Sequence, residues 1–398
     1  MSYDTIPSNA SLKPESFNVN FPHEDVEQFY QLLKLSKLGP RTFENSHDEV
    51  QPSGLPYKWF TEAKIHWESK YDWRKREQHI NSFPNFRAHV KDDDGNGYDI
   101  HFAALFSKKP DAIPLTFLHG WPGSFLEFLG IFTVFKNKYS PEELPFHIIA
   151  PSLPGYTLSS GPPLDKAFRV QDTARIIDKL LVGLGFGNGY IAQGGDIGAY
   201  TCRPLAQYPS CKAVHLNFCL MQKPSSVSDN DVSDVEKQGL AQAQKFMEEE
   251  AAYAFEHGSR PATIGFVLSS SPLASLAWIG EKFLMWTDED PPLDDILDSV
   301  TLYWLTQTFS RCIYPYEQFH DNTANTYAIH GDPEYKINKP LGYSYFPKEL
   351  APMPKSWVAT TGNLVWHRQH DRGGHFAAME KPEEMVKDME DFVKVAWK

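Results

Sequence analysis

From Ala88 onward the chain alternates two kinds of segment, and no other feature constrains the fold as much. Short apolar runs recur: PLTFLHG (114–120), FHIIAPSL (146–153), YIAQGG (190–195) and KAVHLNF (212–218). Each is rich in β-formers and bounded by Gly or Pro, so each reads as a strand. Helical patterns separate them. In VQDTARIIDKLLVGLGF, residues Val170, Ala174, Ile177, Leu181 and Leu184 fall on one side. Buried strands alternating with helices predict a mainly parallel sheet with helices on both faces. Just upstream, AHVKDDDGNGYDIHFAALFS sets two runs about Asp-Gly-Asn-Gly, which predicts a hairpin.

Two regions break this rhythm. Residues 1–85 are rich in charge and tryptophan and read as a helical arm. There Val26, Phe29, Tyr30 and Leu33 repeat at helical spacing, and WFTEAKIHWESKYDWRKREQHINSF reads as a second helical stretch. Its three tryptophans are expected to pack rather than bind a ligand. From residue 222 the alternation stops, and DVEKQGLAQAQKFMEEEAAYAFEH and two later stretches, around 272–287 and 294–310, read as helices. Strand signals return near Tyr327 and over Gly342–Phe346. The expected organisation is an arm (1–85), a core (86–221 and 326–398) and a helical cap (222–325) over the sheet's C-terminal edge.

The bulk numbers narrow the function. A net charge of -13 argues against a surface that tracks nucleic acid. Cys202, Cys211, Cys219 and Cys312 form no CxxC pair, which fits free thiols in a reducing compartment. MSYDTIPSNASLKPESFNV has neither an apolar core nor a basic start, and no run approaches ~18 apolar residues. A soluble, cytoplasmic protein without a membrane span is expected.

The chemistry concentrates at YIAQGGDIGAYTCRPLA. Gly194-Gly195-Asp196-Ile197-Gly198 follows a strand and opens a helix-compatible run. This is the form of a hydrolase nucleophile elbow, with aspartate where a serine usually stands. Alone, a helix-capping aspartate in a glycine-rich turn would look the same. FLHGWPGSF ends an earlier strand, where such hydrolases place an oxyanion hole, so the amides of Trp121 and Ile197 are the candidates. DRGGHFAAMEKPEEM puts His375 after the last strand-like run, the chain position of a general base. Asp332, Glu334, Glu349 and Asp371 compete as its orienting acid. Glu349 is preferred, because it ends a strand-like run and leaves room for one more strand before His375. Gly187-x-Gly189-x-x-Ala192 has the wrong flanks for a dinucleotide site, and His367, His370 and His375 lack a zinc pattern. Neither cofactor nor metal is expected.

With these motifs in place, the sequence resembles the α/β-hydrolase-fold epoxide hydrolases, and within them the microsomal type with its soluble fungal members. YDWRKREQHINSFPNF, HGWPGSF, SLPGY, GGDIG, AYAFEHGSRPATIGF and GGHFAAMEKPE occur in the family's order along nearly the whole chain. The resemblance implies a mainly parallel eight-stranded sheet flanked by helices, with a helical cap and an N-terminal helical arm. It implies Asp196 as nucleophile, His375 as general base and Glu349 as the acid behind it. Two cap tyrosines would act as proton donors. They map onto Tyr253 and Tyr316, with Tyr314 and Tyr303 close enough to leave the second open. A homodimer is implied as well, with a role in detoxification or aromatic-hydrocarbon breakdown.

Aspartate suits such a substrate. Its attack on a saturated ring carbon gives an ester that water can cleave, whereas serine would give an inert ether. The expected reaction is conversion of a hydrophobic epoxide and water to a vicinal diol. The rivals are a haloalkane dehalogenase of the same fold and a non-catalytic ligand-binding protein. The first usually carries tryptophan after the nucleophile, where this chain has Ile197, and leaves two tyrosines without a purpose. The second predicts loss of nucleophile, acid or base, and all three residue types are present.

Overall fold

The computed structural model describes residues 2–49, 53–320 and 330–398. Among these, nine strands form one sheet: β1 (Glu15–Ser16), β2 (Asn85–Lys91), β3 (Gly97–Leu105), β4 (Ile113–Leu118), β5 (Phe146–Pro151), β6 (Tyr190–Gly194), β7 (Cys211–Leu216), β8 (Ile337–Tyr345) and β9 (Gly362–Gln369). Their order is β1-β2-β3-β5-β4-β6-β7-β8-β9. The pairs from β5 to β9 are all parallel, and the β1, β2 and β3 edge is antiparallel. The count corrects the expectation of eight. The extra strand is the two-residue β1, which is too short and too polar to show a period.

Strands β2 to β8 fall at the runs the sequence marks, and β9, half-exposed and without an apolar run of its own, takes the room left for one more strand before His375. β4 and β6 are buried almost throughout, as strands covered on both faces must be. The Asp-Gly-Asn-Gly turn joins β2 to β3 with Lys91 opposite Gly97. Helix Val170–Leu181 buries Val170, Ala174, Ile177 and Leu181 and packs against helix Asp196–Leu205. Leu184 lies beyond its end, in a wider turn that passes through Gly185 at φ +98°. Helix Pro382–Ala396 packs against β7, β8, β9 and helix Leu129–Lys138. The strand signal near Tyr327 lies outside the described residues.

Between β7 and β8 every regular element described is helical. Asp234–Lys245 opens with a capping box, Ser233 with Glu236. The run expected to continue through Tyr253 breaks at Ala251, where the backbone leaves helical geometry before Ala252–Ser259 begins. Helices Pro261–Leu268, Pro272–Met285, Leu293–Leu305, Phe309–Cys312 and Tyr314–His320 follow.

The arm folds as helices His23–Leu35, Tyr57–Ser69 and Trp73–Asn81. The stretch read as one helix is split at Asp72, whose carboxylate accepts from the Arg74 amide at 3.0 Å and so starts a new helix. Trp67 and Trp73 are fully buried. The arm's helices pack on helices Pro272–Met285 and Leu293–Leu305, and the polar contacts are to the second. Trp67 Nε1 donates to Thr301 Oγ1 at 3.1 Å and the Tyr71 hydroxyl to Asp298 at 2.8 Å. Arg76 bridges Asp298 and Asp295.

Candidate active site

Asp196 stands at the C-terminal end of β6 and is the first residue of the following helix. Its φ is +46°, a left-handed conformation uncommon for a residue with a side chain, and one that persists only where the surroundings enforce it. They do so by close packing. A Cβ on Gly198 would overlap the Leu118 carbonyl at the end of β4, and one on Gly120 would overlap the Asp196 carboxylate. The strand, the helix and the loop after β4 meet as bare backbone.

That loop supplies a donor: the Trp121 amide gives a 2.7 Å hydrogen bond to Asp196 Oδ1. The first amide bonded within the helix is that of Ala199, so the Ile197 amide has no intrahelical acceptor. His119 fixes the loop. Its Nε2 accepts from the Leu153 amide at 3.1 Å, its Nδ1 lies 3.1 Å from the Gly120 carbonyl, and burial lowers its pKa to about 4. It is therefore a neutral structural pin at neutral pH.

His375 Nε2 lies 3.5 Å from Asp196 Oδ2, and its Nδ1 lies 2.5 Å from Glu349 Oε1. Glu349 is fully buried in the turn after β8, and its Oε1 also accepts from the Leu350 amide at 2.6 Å. The His375 amide donates to the Trp286 carbonyl at 2.8 Å, and the Trp286 ring stands edge-on to the imidazole. Burial works against a charged imidazole. The neighbouring Glu349 and Asp196 carboxylates outweigh it and hold the His375 pKa well above its ordinary value. Of the rival acids, Asp332 caps a turn at the Glu334 amide, and Glu334 and Asp371 are exposed. Only Glu349 meets His375.

Tyr253 and Tyr316 come from two short helices, with ring centroids 5.9 Å apart. The Trp121 ring stacks on Tyr253 at 5.2 Å and meets Tyr316 edge-on at 6.0 Å. The neighbouring tyrosines are engaged elsewhere. Tyr303 donates to the Gly123 carbonyl at 2.7 Å and Tyr314 to the Pro154 carbonyl at 3.0 Å. Among the described residues, no main-chain carbonyl holds the buried Tyr316 hydroxyl. Burial, then Tyr253, then Asp196 push its pKa well above the usual phenol value, so it keeps its proton. Sequence reasoning does not single out His119, Trp286 or Glu127, whose Oε1 is buried. All three sit in apolar surroundings where spacing suggests only packing.

A left-handed carboxylate at a strand-to-helix turn, facing an acid-backed imidazole on a mainly parallel sheet, defines a hydrolase of the α/β type. Residues 113–295 match the family described as the alpha/beta hydrolase fold, and residues 14–128 match the epoxide hydrolase N terminus. The solved Aspergillus niger epoxide hydrolase is 48% identical, with 100% of both chains covered and a TM-score of 0.93. An enantioselective mutant of the enzyme from that organism, generated by directed evolution, is 49% identical over 100% of both chains, with a TM-score of 0.94. Epoxide hydrolase 1 of Oryctolagus cuniculus is 31% identical over 96% of this chain and 89% of that one. The chain belongs to the epoxide hydrolase family, and it is an enzyme.

Proposed function

We propose that the chain converts hydrophobic epoxides to vicinal diols in two steps, through a covalent ester on Asp196. The observation that carries this reading is the line Asp196, His375, Glu349, whose contacts are 3.5 and 2.5 Å. Asp196 Oδ1 is held by the Trp121 amide, which leaves Oδ2 to attack a ring carbon. The ring C–O bond breaks, and the departing oxygen takes a proton from Tyr316 or Tyr253. Phenols remain protonated at neutral pH, and a positioned acid contributes ~10²–10⁴-fold.

Esterification changes the base. While Asp196 is anionic, it helps keep His375 protonated. Once it is an ester, that charge is gone, the His375 pKa falls, its proton passes to the tyrosinate left by ring opening, and Nε2 is freed to take a proton. A water then adds to Asp196 Cγ as His375 removes its proton. Glu349 holds the imidazolium, and the Trp121 and Ile197 amides hold the oxyanion, a donor being worth ~3 kcal/mol in comparable sites. Collapse breaks the bond from Cγ to the alkyl oxygen, which takes the proton of the new Cγ hydroxyl; the diol leaves and the Asp196 carboxylate is restored. The rings of Trp121, Tyr253, Trp286, Phe309 and Tyr316 around the site favour an apolar substrate. The division into arm (1–85), core (86–221 and 326–398) and cap (222–325) belongs to this reading, with the two phenols carried by the cap.

The test is a mass measurement. His375→Gln incubated with styrene oxide should accumulate enzyme heavier by one substrate, and Asp196→Ala should not. A single wild-type turnover in ¹⁸O-water should label the Asp196 carboxylate. An unlabelled carboxylate would point to direct attack of water on the epoxide.

A further inference from the structure

A second carboxyl reaches the same place from the loop after β4. Glu127 lies in the single turn Phe125–Phe128, which Ser124 caps through its hydroxyl. Its side chain folds back over Gly123, where a Cβ would overlap Oε1, so glycine at 123 is what gives the carboxyl its room. The residue as a whole is half-buried, but its Oε1 is shut in and has no hydrogen-bond partner among the described residues.

Glu127, Gln193, Asn217, Asp196 and His375 line a small, largely enclosed cavity of about 20 Å³. That is room for one water, which needs ≳10–15 Å³ and two or more polar partners. Gln193 Nε2 donates to Asn217 Oδ1 at 2.8 Å, and its own Oε1 is buried without a partner. Two buried polar atoms without partners beside a water-sized space would be costly unless something bridged them.

We propose that Glu127 and Gln193 are positioning residues that hold the hydrolytic water of the second step in this cavity. The inference rests on the two-step reading. Burial raises the Glu127 pKa to about 8; His375 opposes the rise and Asp196 adds to it, so at neutral pH the group is an acid with a proton to donate. A water here accepts from Glu127 and donates to Gln193 Oε1. One proton is then left for His375 Nε2 and one lone pair for Asp196 Cγ, which are the two valences the hydrolysis uses.

Stopped-flow tryptophan fluorescence and rapid-quench mass analysis with styrene oxide would separate the two rates. Glu127→Leu should leave ester formation near the wild-type rate and slow ester breakdown by about 10–100-fold, the cost of a misplaced reactant. Glu127→Gln keeps a donor and should restore most of the breakdown rate. It should also lose the wild-type fall in that rate as pH rises through about 8. Wild-type breakdown in Glu127→Leu, or equal slowing of both steps, would overturn the inference. If Glu127→Leu does not fold, a pH profile unchanged in Glu127→Gln overturns it. Absence of ester in His375→Gln would instead sink the two-step reading, so the two failures are distinguishable.

Discussion

Asp196 is held in place by what its neighbours lack. A methyl group on Gly120 would press on the carboxylate that the Trp121 amide holds at 2.7 Å. Gly120→Ala should therefore fold but lose about 10²-fold in the rate of ester formation, a misplacement effect rather than a loss of any reacting group. Burst kinetics on the folded variant would check this, and an unchanged burst would refute it. Asp196 and His375 were legible in the sequence because glycine spacing and chain order encode them. Glu127 was not, since its place depends on a side chain missing four residues earlier and on an enclosure that no periodicity records. The resemblance puts the second proton donor on Tyr316 and leaves Tyr303 and Tyr314 open, and the hydrogen bonds of those two to main-chain carbonyls support the proposal of Tyr316. All three are buried or half-buried aromatics, Tyr303 on helix Leu293–Leu305 and the other two on helix Tyr314–His320, and their hydrogen bonds tell them apart.

The elements show the same division. Strands β4 to β7 lie where short apolar runs announce them, because they are buried on nearly all sides, and β2 and β3 lie where the Asp-Gly-Asn-Gly turn announces a hairpin. β1 left no trace, and the breaks at Asp72 and Ala251 fall inside runs whose apolar period continues across them. The contact of arm with helix Leu293–Leu305 was also illegible, because polar pairing between distant segments has no period. Yet it is specific: Arg76 holds Asp298, whose pKa burial raises to about 6 against the pull of that same guanidinium. Arg76→Leu leaves Asp298 and Asp295 without their cation and should cost about 1.5–3 kcal/mol of stability, the usual worth of hydrogen bonds to charged groups. Urea unfolding would measure it. A loss below ~0.5 kcal/mol would place this contact among ordinary surface pairs.

Across the molecule, buried titratable groups set a pH window. Burial lowers the pKa of His101 and His257 to about 3, and of His119, His147, His215 and His367 to about 4. Unfolding returns each to ~6.5. Their contribution is therefore present above pH ~6.5 and is lost as pH falls toward those folded values. Groups with raised values act in the opposite sense. Glu127, raised by burial to about 8, and His375, held up by its carboxylates, contribute stability that is lost as pH rises through their folded values. The urea midpoint should therefore peak near pH 6.5 and fall on both sides. A midpoint still climbing from pH 7 to 9 would contradict this balance.

The bare-backbone junction of β4, β6 and the helix after it also bears on how such an enzyme can change. Substitution there has nowhere to go, because the room a new side chain would need is already filled by main chain and by the Asp196 carboxylate. The phenols and rings opposite ride on short helices joined by loops. Altered preference for one substrate or one mirror image should therefore arise by redrawing those helices around the two phenols, with the junction beneath passed on intact.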